Sequence, residues 1–199
     1  RAAASKLCTQ DVDTALEGAA DMVLVLKNTS APICVHIAQR ASSLGIPVFF
    51  EASCEGLSAL EEASAQGIEF IYADSDTFEN YTGIHTRDVE HCLKCCLAVE
   101  QKVKSHFYII RIKNRGLFVY DGKFYNIVSA TDLSEAYVKC GFADIEVAAL
   151  ASEYLVSEDI VRSCRVAEIA DKIARQSATV RIPSREIIEN FALENDIDL

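Results

Sequence analysis

Three short apolar runs, each followed by a segment of different character, constrain the fold of this chain more than any other feature. The runs are DMVLVL at residues 21–26, IPVFFEAS at residues 46–53 and IEFIYA at residues 68–73. Continuous apolar stretches such as MVLVL are typical of parallel strands that are covered on both faces. Their alternation with helical segments predicts a parallel sheet with right-handed crossovers, in a single α/β domain over residues 1–199.

The segments between the runs carry residues that begin and end helices. In SAPICVHIAQRASSLG, Ser30 is suited to cap a helix, Pro32 to its first turn and Gly45 to its end. GLSALEEASAQG, at residues 56–67, predicts a second helix that is again closed by its final glycine. Two units of strand followed by helix therefore open the sequence.

The remainder of the chain changes to short strands and then to helices. DSDTFENYTG, at residues 74–83, is expected to be a turn-rich piece, and a helix is predicted over residues 88–102. HFYIIRI, GLFVYDG and KFYNIV predict short strands, and Asp121 with Gly122 predicts a hairpin turn. From Gly141 onward the pattern is mainly helical, and no linker rich in glycine, serine or proline divides the chain.

The net charge of −11 limits the partners of the chain. An acidic surface repels phosphates, so we expect no nucleic-acid partner, although a local site could still bind a small anion. The longest apolar runs are too short to span a bilayer and no secretory signal is visible, so we expect no membrane contact and a cytoplasmic location. Because Arg1 is an unusual first residue, we expect an upstream segment to be missing.

Eight cysteines raise three alternatives, namely disulfides, a metal or redox site, and buried thiols. Six of them lie in or beside segments of helical periodicity: Cys34, Cys92, Cys95, Cys96, Cys140 and Cys164. Reduced thiols on buried helix faces are therefore predicted. HCLKCC contains a Cys-x-x-Cys, but no second ligand pair stands at zinc-like spacing, so a metal or redox role is the less favoured alternative.

The tetrad Gly-Phe-Ala-Asp at residues 141–144 stands where an apolar-periodic helix begins. A helix N-terminus exposes unpaired N–H groups and a partial positive charge, and glycine lets a ligand approach the backbone closely. Asp144 could act there as a base that takes a proton from a hydroxyl while backbone amides hold a transferred phosphoryl group. Acidic residues are also common in first turns as helix caps, so the two roles are alternatives.

The order of these features resembles that of the PfkB, or ribokinase-like, family of carbohydrate and nucleoside kinases. The matching order is two strand–helix units, a turn ending in YTG, a helix, a strand leading to NRGLFVYDG, and GFAD opening a helix. The resemblance covers nearly the whole chain but only the later two-thirds of a usual member. It implies a three-layer α/β/α fold with a mainly parallel sheet and no N-terminal lid. It also implies ATP and Mg²⁺ as cofactors, a small-molecule sugar or nucleoside as acceptor, and pairing into a homodimer.

Carried over to this sequence, the Gly-Ala-Gly-Asp motif of the family falls on residues 141–144. The resemblance implies that Asp144 is the catalytic base and that Gly141, Phe142 and Ala143 form the anion hole for phosphate. Ala143 replaces the second glycine of the motif, so its Cβ stands where the family has bare backbone.

The other landmarks of the family fall on altered residues. Counting back from YTG places Asp74 and Thr77 on the asparagine and the glutamate of an Asn-x-x-Glu motif, which implies a metal-binding role for Asp74. The strand at the nucleotide site ends here in RIKNRG. By the resemblance, Lys113 and Arg115 grip nucleotide phosphates, and Gly116 is the glycine that is kept.

Two residues at predicted strand ends are implied to bind the substrate, because open α/β sheets place ligands there. They are Asn28 and Glu51. For Asn28 the alternative is a loop asparagine, whereas Glu51 is either a solvated strand end or a weak ligand of a metal or a hydroxyl. Glu51, Ala52 and Ser53 also resemble the Phe-Glu-Pro-Ser ending of the pseudouridine kinase branch, with alanine in place of proline.

These features predict a PfkB-type ATP-dependent kinase that phosphorylates a hydroxyl of a sugar or nucleoside, with a pseudouridine-like substrate. The altered RIKNRG and DSDT motifs support a second hypothesis, a catalytically inactive binding or assembly module derived from such a kinase. A third hypothesis is an unrelated Rossmann-like binding domain, since many functions share this fold pattern.

Overall fold

The computed structural model describes residues 6–18, 20–63, 65–113, 115–130, 142–176 and 182–199. In chain order the elements are α1 (Thr9–Leu16), β1 (Val23–Val25), α2 (Ala31–Leu44), β2 (Val48–Glu51), α3 (Cys54–Glu62), β3 (Ile68–Asp74), α4 (Ser75–Thr82), α5 (Val89–Glu100), β4 (Ser105–Ile112), β5 (Gly116–Tyr120), β6 (Tyr125–Ser129), α6 (Phe142–Ser157), α7 (Ile160–Gln176) and α8 (Arg185–Glu194). The alternation of strands and helices that the three apolar runs predicted is confirmed for β1 to β3.

The strands form one mixed sheet in the order β1-β2-β3-β4-β5-β6. β1 to β4 pair in parallel, as the apolar runs predicted for β1 to β3. All four residues of β2 are buried, including Glu51 at its end. Because neighbouring residues of a strand point to opposite faces, this burial means that both faces of the sheet are covered at β2.

β5 and β6 form the antiparallel hairpin that the sequence predicted. The Asp121 N–H donates to the Phe124 carbonyl at 3.1 Å, and the Ala130 N–H donates to the Arg115 carbonyl at 3.0 Å. Gly122 takes φ 87° in the turn, a conformation that glycine adopts without strain.

α2 begins after Ser30 and ends at Gly45 as predicted, although the Ser30 side chain makes no capping hydrogen bond, whereas the predicted bounds of α3 are wrong. Gly45 ends α2 in the left-handed conformation. α3 instead ends at Glu62, so the prediction that Gly67 closes this helix is wrong. Gly67 has φ 74° directly before β3, where it turns the chain into the strand.

The prediction that residues 74–83 form only a turn-rich piece is also wrong, because they contain helix α4. Asp74 caps this helix, and Gly83 ends it with φ 74°. The helix is mainly polar and buries Thr77 and Phe78. Its sequence therefore carries little of the apolar periodicity by which helices are recognised.

The described residues group into two compact units. The first contains the residues up to Lys113 with Phe118–Asn126, and the second contains Asn114–Leu117 with Ile127–Leu199. Each unit has its own apolar core. The core of the first unit includes Phe50, Leu57, Ile71, Phe78 and Tyr108, and that of the second includes Ile145, Val166, Ile169 and Ile188.

The cysteines of α5 lie on its buried face: Cys92, Cys95 and Cys96. Burial raises the pKa of the Cys96 thiol well above its ordinary value, which favours the neutral thiol. The predicted helix-face position is confirmed for these three and for buried Cys34 and Cys164, whereas Cys140 lies outside the described residues.

Helix α1 was not predicted from the sequence. It is eight residues long and buries only Val12 and Leu16, so its apolar signal is weak. Among the helices that the structure describes, none is long and apolar enough to cross a membrane.

Candidate functional site

A lysine and two carboxylates meet at the carboxyl edge of β1, β2 and β3. Lys27 lies two residues beyond the end of β1, Glu51 is the last residue of β2, and Asp74 is the last residue of β3. Because parallel strands end at the same edge of a sheet, the fold brings these three residues together from distant parts of the sequence.

Lys27 makes the central contacts of this edge. Its Nζ donates to Asp74 Oδ2 at 2.7 Å and to Thr77 Oγ1 at 3.2 Å. Its backbone N–H donates to Glu51 Oε2 at 3.0 Å. One residue therefore connects the ends of all three strands and the first turn of α4.

Asp74 uses both of its carboxylate oxygens. Oδ2 accepts from the Lys27 ammonium, and Oδ1 accepts the Thr77 N–H at 2.7 Å as the cap of α4. Burial by itself would raise the pKa of Asp74, but the hydrogen bonds from Lys27 and Thr77 outweigh it and hold that pKa below its ordinary value. The side chain is therefore a stable anion with partners on both oxygens.

Glu51, predicted to bind substrate, is 6% exposed, so it is not a solvated strand end. Ala52, which replaces the proline of the pseudouridine kinase pattern, is fully buried, and its N–H donates to the Tyr72 carbonyl at 2.7 Å. Ser53 caps α3 by accepting the Gly56 N–H at 3.1 Å. Each residue of this tripeptide thus has a structural contact.

The metal-binding prediction for Asp74 can be tested against the chemistry of its neighbours. Magnesium requires near-octahedral coordination by oxygens at about 2.0–2.1 Å. Both oxygens of Asp74 already accept hydrogen bonds, and the residue opposite Asp74 on β4 is another cation, Arg111. No group of three or more histidine, cysteine or acidic residues in the described ranges is arranged for a metal ion. As they stand, these residues do not fit magnesium.

Sequence analysis missed Lys27 and selected its neighbour Asn28, which is exposed in the turn after β1. The available signal was the position of a lysine directly after an apolar strand, at the edge where open α/β sheets place functional residues. The partner in space, Asp74, is 47 residues away in the chain, so no local pattern indicates the contact.

The second candidate region is the start of α6, in the second unit. Asp144 lies in the first turn of this 16-residue helix and is exposed. Phe142 and Ala143 open the helix, whereas Gly141 lies outside the described residues. Because the first N–H groups of a helix have no partner within it, this end has the donors and the partial positive charge that an anion requires.

Asp144 also lines a cavity of about 350 Å³. The cavity is formed by residues of α6, α7 and α8, by Ile182 and Pro183 before α8, and by Leu199. Its walls are mainly apolar, from residues such as Ile145, Val166, Ile188 and Leu199. An acidic side chain at an apolar cavity of this size is an arrangement that suits a small-molecule ligand.

A buried carboxylate holds one wall of this cavity. Glu153 is 4% exposed, and its Oε1 accepts from Arg162 Nε at 2.6 Å. Its Oε2 accepts from Arg185, which lies in α8. The three residues join α6, α7 and α8, and all three line the cavity.

The residues predicted to bind nucleotide lie at the turn between β4 and β5. Lys113 and Arg115 are exposed, whereas Gly116 is buried with φ 104°. A Cβ on Gly116 would overlap the Val128 carbonyl oxygen and would lie 2.8 Å from the carbonyl carbon of Ser129. The close approach of β6 therefore accounts for this glycine without a nucleotide.

The fold is similar to that of solved sugar kinases. A ribokinase from Arabidopsis thaliana, in a structure with ribose and ATP, matches with a TM-score of 0.77 and 15% identity over 92% of this chain and 59% of its own. Phosphofructokinase-2 from Escherichia coli, in complex with potassium, matches with a TM-score of 0.78 and 15% identity over 94% and 61%. A ribokinase from Giardia lamblia matches with a TM-score of 0.77 and 13% identity over 96% and 65%.

These matches establish a ribokinase-like α/β fold, as the sequence predicted. The chain spans about three fifths of the length of these structures. Neither a profile of a protein family nor a curated protein matches the sequence. The likeness therefore shows the fold, and the chemistry has to be inferred from the residues of this chain.

Proposed function

We propose that the chain is part of an ATP-dependent kinase of the PfkB, or ribokinase-like, type, which phosphorylates a hydroxyl of a sugar or nucleoside. The observation that carries this proposal is Asp144, an exposed carboxylate in the first turn of α6 and at the edge of a cavity. The ribokinase-like fold supports it, since a ribokinase of the same fold was solved with ribose and ATP.

In the proposed reaction Asp144 is the general base. The acceptor oxygen forms a bond to the γ-phosphorus of ATP, and the bond from that phosphorus to the bridging oxygen of the β-phosphate breaks. The proton of the hydroxyl goes to the Asp144 carboxylate. Backbone N–H groups at Gly141, Phe142 and Ala143 are proposed to stabilise the charge on the transferred group.

The remaining site residues are proposed to bind the nucleotide and the acceptor. Lys113 and Arg115 are exposed cations and are proposed to contact nucleotide phosphates. Asn28 is proposed to face the acceptor from the turn after β1. Glu51 accepts the Lys27 N–H at the end of β2, and it is proposed to contact the acceptor from that strand end.

Magnesium enters this proposal only as the ion that accompanies ATP. It would neutralise charge on the phosphates during transfer. Both oxygens of Asp74 accept hydrogen bonds, one of them from the Lys27 ammonium, and no step of the reaction is assigned to a metal at that residue. A pseudouridine-like acceptor is the finer proposal, supported by the resemblance of Glu51, at the end of β2, and Ser53, the cap of α3, to the ending of that branch. Self-pairing is proposed by analogy alone.

The test is phosphate transfer by the complete gene product, since the present chain spans about three fifths of its structural neighbours. Release of ADP would be measured with ribose, pseudouridine and other nucleosides as acceptors. We expect Asp144→Asn to lower kcat by about 10²- to 10⁴-fold, the usual contribution of a general base.

A matched control is Asp76→Asn, because Asp76 is also an exposed acidic residue in the first turn of a helix. This variant should keep the wild-type rate. An Asp144→Asn enzyme that works as fast as the Asp76→Asn enzyme would contradict the proposed base.

The contacts of Lys27 favour a second candidate, a catalytically inactive module derived from such a kinase. An ammonium bound to Asp74 closes the position where the family resemblance implied a metal. This candidate predicts no acceptor-dependent ADP release and no magnesium-dependent ATP binding by calorimetry. ATP binding that requires magnesium would count against it.

A further inference from the structure

The carboxylate of Asp74 binds a cation that the chain itself supplies, the ammonium of Lys27. The Lys27 ammonium lies between Asp74 Oδ2, at 2.7 Å, and Thr77 Oγ1, at 3.2 Å. We propose that Lys27 is a built-in cation that takes the place of a divalent metal ion at Asp74, so that Asp74 is open to such an ion only when the ammonium is removed. This inference does not rest on the proposed kinase reaction.

The first reason is the use of the oxygens. The helix-capping bond from the Thr77 N–H occupies Oδ1 of Asp74, and the ammonium occupies Oδ2. A metal ion bound to Oδ2 would lie about 2.0–2.1 Å from that oxygen. Two cations would then stand within a few ångströms of each other, where their repulsion is strong.

The second reason is that the chain holds Lys27 at this position. The Lys27 N–H is bound to Oε2 of Glu51, a buried carboxylate. The turn that follows is closed by the Thr29 N–H, which donates to the Leu26 carbonyl at 2.9 Å. The backbone of Lys27 is therefore fixed on both sides, and its side chain reaches Asp74 without a change in the main chain.

The third reason is the charge balance of the edge. The Lys27 ammonium places one positive charge against Asp74, while Glu51 accepts only the neutral N–H of Lys27. Arg111 lies opposite Asp74 in the register of β3 and β4 and adds a second cation to this end of the strands. With the Lys27 ammonium on its carboxylate, Asp74 would offer little to a divalent ion.

Metal binding can be measured directly with Mn²⁺, whose free ion gives an electron paramagnetic resonance signal that is lost on binding. The four proteins are the wild type, Lys27→Ala, Lys27→Ala with Asp74→Asn, and Lys94→Ala. Lys94 is the matched control, since its ammonium lies 2.6 Å from Glu90 in an exposed ion pair on α5. Alanine removes the whole lysine stem and leaves room for the ion.

We expect Lys27→Ala to bind Mn²⁺ at least about tenfold more tightly than the wild type, because the removed charge is close to the carboxylate although half-exposed to water. The gain should disappear when Asp74→Asn is added, and Lys94→Ala should match the wild type. Added Mg²⁺ should release the Mn²⁺ from Lys27→Ala.

Two results would overturn the proposal. One is an Asp74-dependent Mn²⁺ site in the wild type as tight as that of Lys27→Ala. The other is a Lys27→Ala protein that has the circular dichroism spectrum of the wild type and still gains no Asp74-dependent site. The double variant lacks the Asp74 carboxylate, so any Mn²⁺ that it still binds is bound elsewhere on this acidic chain.

Discussion

Two aspartates at the N-terminal ends of helices have opposite surroundings. Asp74 caps α4 at the end of β3, and its carboxylate oxygens accept from Thr77 and from the Lys27 ammonium. Asp144, in the first turn of α6, is exposed and lines a cavity of about 350 Å³. The first aspartate is committed to structure, whereas the second has room for a ligand.

This difference shows that residue type and local position do not decide the role of an acidic side chain. Both residues satisfy the same local rule, since an acidic group is stabilised at the start of a helix. A lysine that reaches Asp74 from the turn after β1, 47 residues away in sequence, closes one site. The cavity beside Asp144 leaves the other open. The following predictions test or refine this comparison, from the largest expected effect to the smallest.

Gly116 matches the family pattern, and its substitution tests whether the packing of β6 requires a glycine there. We expect Gly116→Ala to lower the free energy of unfolding by about 3 kcal/mol, because its Cβ would overlap the backbone of β6 at a positive φ. Urea unfolding measures the change. Gly83→Ala is the control, since Gly83 has φ 74° with open space around it and should lose only about 1–2 kcal/mol. Equal losses would leave Gly116 available for a functional role.

Glu153 tests whether its ion cluster stabilises the wall of the cavity that Asp144 also lines. Glu153→Gln should cost about 2 kcal/mol, a value lowered from that of a fully buried ion pair because both arginines are partly exposed. Thermal unfolding would show the loss. Glu90→Gln, in an exposed pair with Lys94, should change stability very little. If the two variants behave alike, the ion cluster does not hold the cavity wall.

Glu79 tests how firmly α4, the helix that Asp74 caps, is held at low pH. Hydrogen bonds from His85 and Thr86 to the Glu79 carboxylate lower the pKa of Glu79 from 4.5 to about 2. Because the folded-state pKa is the lower one, the stabilisation is complete above about pH 4.5 and is lost as the pH falls towards 2. We expect Glu79→Gln to cost about 1–2 kcal/mol at neutral pH. Urea unfolding from pH 7 to pH 3 should show a shallower acid loss in the variant, and parallel curves would contradict this.

The two aspartates themselves give the smallest expected effects. Asp74→Asn should lower the unfolding free energy by about 1 kcal/mol, because it removes the negative charge that pairs with Lys27 and that favours the N-terminus of α4. Asp144→Asn should change it by less than about 0.5 kcal/mol, as an exposed surface substitution does. A large loss of stability in Asp144→Asn would show that this side chain is structural and would remove the contrast.

The sequence predicted the elements that apolar patterns mark, and it missed those that polar contacts define. β2, α2 and the buried face of α5 followed from runs of apolar residues and from glycine or serine at their ends. Helix α4 did not, because its start depends on a hydrogen bond from Thr77 to Asp74 and its surface is mainly polar. The roles of the predicted site residues, above all Asp144, stay predictions until the assays above are done.

The sequence by itself determined the alternation of parallel strands and helices, because burial of apolar side chains depends on spacing along the chain. Only the tertiary structure decided the partners of the polar residues. Lys27 meets Glu51 from 24 residues away and Asp74 from 47 residues away, since the sheet aligns the ends of its parallel strands. The strength of an interaction between two charges depends on their distance in space, and folding sets that distance.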